Sequence, residues 1–185
     1  PAQGDAPCLL HVGTTVARKR IDLLLQIFTD LRRNFPSARL VRVGGDFTPE
    51  QSELVGRLGL GDSVRVLPFV SRAVLAAVYR RAAMLMLTSE REGFGLPMVE
   101  AMACGVPVVA SDIPVLREVG RGAAAYCAVG DLSAWSATIS HLLAERAERP
   151  EDWQHRRASG LSRASSFSWA EHTNRLVSLY RELVS

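Results

Sequence analysis

Short apolar runs alternate with longer stretches of helical period over the first half of the chain, the pattern of a parallel sheet whose strands are joined by crossover helices. CLLHVG, from Cys8 to Gly13, reads as a strand; Ile21, Leu24, Leu25, Phe28, Leu31 and Phe35 then recur at helical spacing. RLVRVGG is the second strand, followed by a helix opened by Pro49 and closed near Gly59. VRVLPFV is the third, leading to a helix from about Arg72 to Arg81 whose apolar face is Val74, Leu75, Val78 and Tyr79. MLMLTS is the fourth strand, Pro97 to Ala103 a short helix closed by Gly105, and PVVAS and AAYCAV the fifth and sixth strands. Beyond Asp131 only helical patterns continue: Leu132 to Leu143, roughly Glu151 to Ser165, and Trp169 to Val184. Ser133 to Ser136 read as helix surface, and the arginine and glutamate run from Glu145 to Glu151 as solvated surface and a loop. The expected fold class is α/β, a Rossmann-like parallel sheet of about six strands with flanking helices and a helical C-terminal tail.

Composition narrows this further. At 185 residues, 48% hydrophobic and without a low-complexity tract, the chain suits one domain spanning residues 1–185. No apolar run approaches the roughly 20 residues of a membrane span. The opening PAQGDAP lacks a signal-peptide pattern, so the expectation is a soluble, cytoplasmic protein. Cys8, Cys104 and Cys127 form no close pair, which argues for buried reduced thiols rather than a disulfide framework or a metal knuckle. A net charge of +3 and a pI near 9.1 raise nucleic acid as a partner, but the basic residues are scattered without interleaved aromatics, so none is expected. Of the 22 basic residues 21 are arginine; Lys19 is the one lysine.

Thr88 to Asp112 (TSEREGFGLPMVEAMACGVPVVASD) carries the chemistry. It reads as strand end, loop, short helix and strand, and in an open α/β sheet such a loop lies on the ligand side. Gly93 and Gly95 let backbone approach a ligand, and Pro97 fixes a helix start whose free N–H groups suit a phosphate. Glu92 precedes the helix and Glu100 sits one turn into it, leaning back toward the same crevice. Two acceptor-only carboxylates beside an anion site suit a ligand with hydroxyls on both sides of a diphosphate, such as a nucleotide sugar. The plainer alternative stays open: Glu100 complements the helix dipole, Glu92 is solvated, and the glycines make a turn.

Glu92, seven intervening residues and Glu100, set in EGFGLPMVEAMACGVPVVASD, resemble the signature of retaining glycosyltransferase family 4, whose enzymes have the two-domain GT-B fold. The resemblance implies that this chain is the C-terminal, donor-binding half. It assigns Glu92 to hydroxyls of the transferred sugar, Gly93, Phe94, Gly95 and Leu96 to the sugar and phosphates, and Glu100 to the ribose. VGTTVARKRIDLLLQIF resembles the first strand, loop and helix, where an arginine and a lysine usually neutralise the diphosphate. Lys19 takes the lysine position, whereas Thr14, directly after Gly13, stands at the arginine position, with Arg18 as the candidate replacement. Gly44 in VGGDF corresponds to the turn after the second strand, and Phe69 and Val70 in LPFVS to the loop that binds the base. Tyr79 is expected in the core, His11 at the first strand's end without touching the ligand, and His141, His155 and His172 on helix surfaces. FSWAEHTNRLVSLYREL, within 167–185, resembles the helix that crosses back to an N-terminal domain, which this chain lacks and which carries the acceptor site.

The implied function is retaining transfer of a hexose from a UDP- or GDP-sugar to a sugar or lipid-linked acceptor in polysaccharide or glycolipid biosynthesis, with Glu92 and Lys19 as the catalytic residues. No cofactor or catalytic metal is expected. Contact with the inner membrane face falls to the missing domain, and the isolated chain should bind donor with little turnover. An NAD-dependent oxidoreductase is disfavoured because GTTVAR lacks the Gly-x-Gly-x-x-Gly fingerprint, and a P-loop enzyme because Arg20 follows Lys19. A sugar-nucleotide epimerase, a phosphorylase of the same fold, or a non-catalytic nucleotide-sugar-binding module remain the alternatives.

Overall fold

The structure, a computed structural model, describes residues 6–183. The side chains of Trp169, Glu171 and His172 lie outside the described set, as do Val184 and the surface position expected for His172. Six strands form one parallel sheet: β1 Cys8–Val12, β2 Arg39–Val43, β3 Val64–Leu67, β4 Met84–Leu87, β5 Val108–Ser111 and β6 Ala125–Cys127. Their order is β3-β2-β1-β4-β5-β6. Leu9 of β1 pairs with Leu40 on one side and Met84 on the other, so β1 and β4 are the neighbours at which the winding reverses. In a doubly wound sheet the ligand crevice opens beyond the carboxyl ends of such a pair.

Alternation along the strands divides the core between the two faces. Leu9, Leu40, Met84, Met86 and Val109 point to one face and pack with Leu24, Leu25 and Phe28 of α1 (Ile21–Leu31) and Trp135 and Ile139 of α6 (Leu132–Glu148). Leu10, Val43, Leu85, Leu87 and Val108 point to the other. There they meet Tyr79 of α3 (Arg72–Arg81), Met98, Ala101 and Met102 of α4 (Leu96–Ala103) and Leu116 of α5 (Pro114–Gly120). The helix starts follow local chemistry. Thr48 accepts from the Gln51 amide while Gln51 accepts from the Thr48 amide, a capping box that with Pro49 opens α2 (Pro49–Arg57). Ser71 caps α3 by accepting from the Val74 amide, and Asp131 caps α6 by accepting from the Ala134 amide.

Three local expectations are corrected. Val74 is exposed, which leaves Leu75, Val78 and Tyr79 as the packed face of α3. α6 continues to Glu148 and is followed after Arg149 by α7 (Pro150–Ser165), so the run read as solvated surface and loop contains a buried carboxylate. Glu145 accepts two bonds from Arg156, at 2.8 and 2.9 Å, and that bidentate pairing allows it to be buried between the two helices. Of the cysteines, Cys127 is buried while Cys8 and Cys104 are half-buried free thiols. The final helix, α8 (Trp169–Leu183), exposes Leu176, Val177, Leu179, Tyr180 and Leu183.

Candidate functional site

At the carboxyl ends of β1 and β4 two loops are clasped together. The β1–α1 loop winds through a 3-10 turn, Ala17–Lys19, and reaches Arg20 in the left-handed region (φ 49°). The amide of Glu90 donates to the Arg18 carbonyl at 2.8 Å, and the Thr88 hydroxyl donates to the Lys19 carbonyl at 2.9 Å. Arg20 reaches Glu90 at 2.6 Å while also holding Asp22, and Arg18 donates to the Arg91 carbonyl at 2.8 Å. These contacts join residues about seventy positions apart and make the two loops one wall.

The wall sets the central ion pair. Lys19 Nζ lies 2.5 Å from Glu92 Oε1, with both side chains nearly buried. The Ser89 hydroxyl donates to the same oxygen at 2.8 Å, and Arg18 approaches Oε2 at 3.3 Å. Burial raises the Glu92 carboxyl, but the Lys19 and Ser89 bonds, the Lys19 charge and the Arg18 bond outweigh it, so its pKa falls below the ordinary carboxylate value. One carboxylate is thus shared by two cations, leaving a positive excess at the mouth of the crevice. An anion entering there can take over Lys19 without stranding it in a desolvated position.

Beside this pair the chain runs through Gly93, Phe94 and Gly95 into α4. Gly95 caps the helix at φ 88°, a conformation that favours glycine, and a Cβ on it would come within 2.6 Å of Leu116 Cδ2, which would have to shift. No side chain caps the first turn of α4, which leaves a positive helix end beside Glu92. Glu100 is exposed on α4 and accepts from the Tyr79 hydroxyl at 2.9 Å. Phe94 and Leu96 are partly exposed, and Phe94 meets Phe167 edge to face at 5.6 Å, while the Arg163 guanidinium covers the other ring.

Two glycine turns floor the neighbouring part of the crevice. Gly13 donates its amide to the Val43 carbonyl, and Gly44, at φ 127°, lies so close that a Cβ would sit 2.2 Å from the Gly13 carbonyl oxygen. Beneath them Arg42 is fully buried; its guanidinium donates to the carbonyls of Gly45, of Gly13 at 3.0 Å and of Gly44 at 3.4 Å. Desolvation lowers the Arg42 pKa; its two terminal nitrogens are held by these carbonyl dipoles, while Nε has no hydrogen-bond partner among the described residues. His11 is also fully buried, and neither ring nitrogen has a hydrogen-bond partner among the described residues. Desolvation first, then the Arg42 and Lys19 charges, push its pKa down to about 3, so the imidazole is neutral.

The residues singled out from the sequence divide by position. Gly13, Thr14, Arg18 and Lys19 follow β1, Gly44 follows β2, Phe69 and Val70 follow β3, and Glu92 to Glu100 follow β4, all on the carboxyl edge. Lys19, Arg18 and Glu92 touch one another. Thr14 is exposed, Phe69 stands 75% exposed over Gly45, and Val70 is half-buried; the hydrogen bonds and ion pairs of the central pair run to Arg18 and Ser89 rather than to these three. Sequence reasoning missed Arg42, Ser89 and the Tyr79–Glu100 bond. For Arg42 a signal exists: it shares a strand face with buried Leu40, where a charge is out of place. Among the described residues no group of three His, Cys, Asp or Glu side chains has the grouping of a metal site, and no helix is long and apolar enough to cross a membrane.

Residues 1–158 match the family described as glycosyl transferases group 1. The D-inositol 3-phosphate glycosyltransferase of Frankia alni is 34% identical over 194 residues, covering 98% of this chain and 46% of that protein. The O-antigen chain mannosyltransferase B of Escherichia coli is 34% identical over 181 residues, covering 94% and 45%. Sucrose-phosphate synthase from Thermosynechococcus elongatus superposes with a TM-score of 0.84 at 30% identity, covering 97% of this chain and 46% of that one. Anabaena Alr3699/HepE, solved in complex with UDP and glucose, shares the fold, with a TM-score of 0.80 at 20% identity over 98% of this chain and 49% of that one. The chain therefore spans less than half the length of these curated relatives.

Proposed function

The chain belongs to the group 1 glycosyl transferases, and from that premise we propose that it is the part of such an enzyme that holds a nucleotide-diphosphate sugar for retaining transfer. The observation that carries the reading is the Lys19–Glu92 pair, 2.5 Å apart beside the uncapped start of α4 at the reversal of the sheet. The diphosphate takes Lys19, Arg18 and the amides of the Gly93–Leu96 run, which frees Glu92 to accept from hydroxyls of the sugar. Glu100 accepts from the ribose, and Phe69 and Val70 border the base. Alr3699/HepE, which shares the fold, was solved in complex with UDP and glucose, the two parts of such a ligand.

In the proposed reaction an acceptor hydroxyl attacks the anomeric carbon on the face from which the diphosphate departs. The new C–O bond forms as the sugar–phosphate bond breaks, and a departing phosphate oxygen takes the hydroxyl proton. Lys19 and the amides of the Gly93–Leu96 run stabilise the charge that grows on the leaving group, the kind of preorganised electrostatics that supplies much of enzymatic rate. The acceptor site and the surface that α8 covers are assigned to a further domain of the whole protein, in line with the 46% and 45% coverage of its relatives.

Calorimetry against UDP, GDP and ADP and their common sugar conjugates tests the proposal. Lys19→Ala should weaken every ligand that binds by about ten- to a hundredfold, the worth of a charge-assisted bond. Glu100→Ala should weaken diphosphate and conjugate together, whereas Glu92→Ala should weaken only the conjugate and, in the whole enzyme, lower kcat. Equal loss of both ligands in Glu92→Ala would remove that residue from the sugar; unchanged affinities in all three variants would reject the site.

A further inference from the structure

An exposed glutamate on a helix surface has several rotamers within thermal reach, and a carboxylate that must meet two vicinal hydroxyls has to be held in one of them. Glu100 is exposed, yet its Oε2 accepts the Tyr79 hydroxyl at 2.9 Å. Tyr79 is the one fully buried residue of α3, 1% exposed, and its ring packs in the same apolar cluster as Met98, Ala101 and Met102 of α4. The phenol is therefore rooted in the core, and only its oxygen reaches the crevice. Burial, then the Glu100 charge, raise the phenol pKa, so the group is an O–H donor at neutral pH. Core packing alone would be served by phenylalanine, whose ring has the same shape without a hydroxyl that needs a partner.

We propose that Tyr79 is a positioning residue: its hydroxyl fixes one oxygen of Glu100 so that the other faces the ribose hydroxyls of a bound nucleoside diphosphate. The inference rests on the reading of Glu100 as the ribose contact. It assigns to α3, which contributes no ligand of its own, the orientation of a ligand on α4.

Calorimetry on the chain, with whichever of UDP, GDP or ADP binds most tightly and with its 2′,3′-dideoxy counterpart, tests it. Wild type should prefer the ribonucleotide, and Glu100→Ala should abolish that preference. Tyr79→Phe, which keeps the ring, should weaken the ribonucleotide about three- to tenfold, leave the dideoxy affinity unchanged, and add nothing in the Glu100→Ala background. Equal weakening of both nucleotides, or of neither, would make the Tyr79–Glu100 bond a structural tie between α3 and α4 and overturn the proposal. Should Tyr79→Phe fail to fold, the hydroxyl is required by the core and the proposal is equally overturned. Binding without any preference for the ribonucleotide would remove Glu100 from the ribose while leaving the nucleotide reading intact. The absence of nucleotide binding by wild type would defeat that reading itself, and the role of Tyr79 with it.

Discussion

At the scale of single residues the crevice is built over buried polar groups that no water reaches. His11 has an ordinary pKa of 6.5 when unfolded and about 3 when folded, so between those values the unfolded chain binds a proton that the native one refuses. Stability from this residue is complete above the unfolded value and falls by about 1.4 kcal/mol per pH unit on acidification toward the folded one. Denaturant titrations from pH 7 to pH 4 should show that slope, and His11→Leu should be flatter by close to one proton; parallel curves would place His11 in a wetter environment. The sequence places this residue at the end of the first strand, out of contact with the ligand. The strand face that it shares with buried Leu9 is a signal of its burial; its electrostatic setting was not legible, because the cations that surround it are Lys19 and Arg42 of β2. Lys19 was legible because it is the one ammonium in a chain that otherwise uses arginine.

At the scale of elements, loops carry the ligand residues and their glycines divide by role. A methyl on Gly44 would strike the Gly13 carbonyl carbon at 2.7 Å as well as its oxygen, in a conformation side chains avoid. Gly93 has nothing within 4 Å of such a methyl. Gly44→Ala should therefore cost about 2–4 kcal/mol in thermal or denaturant unfolding, whereas Gly93→Ala should melt with wild type and lose affinity for the sugar conjugate. Equal melting of the two variants would mean that the Gly13–Gly44 approach is loose in solution. The six strands and most helices were legible because each combines an apolar run with punctuation by glycine, proline or a cap. α5 was not: its seven residues, PVLREVG, are too few to show a helical period between two strands. The extension of α6 to Glu148 was hidden for a different reason. Arginine and glutamate at helical spacing read as solvent-facing, and only the partner eleven residues on, Arg156, explains why Glu145 is inside.

At the scale of the whole molecule the crevice belongs to no single segment. Four successive strand ends supply it, and its wall depends on contacts such as Arg20 with Glu90 that join distant stretches of sequence. Motifs could name the residues on each side of the β1–β4 boundary, but the closing of one loop on the other is a property of the sheet order. The Phe94–Phe167 contact extends the same connection to the segment just before α8, so the loop that leads into α4 and the C-terminal helix are mechanically adjacent. Possession of a single lysine, nearly buried against Glu92, has a practical consequence. Apart from the amino terminus, an amine-reactive ester has one side chain in this chain to acylate, so intact-mass spectrometry becomes a clock on the opening of one ion pair. The side-chain adduct should form slowly in the free protein, faster in Glu92→Ala, and more slowly again when a nucleoside diphosphate is added; acylation at the rate of a free lysine would show that the pair spends most of its time apart.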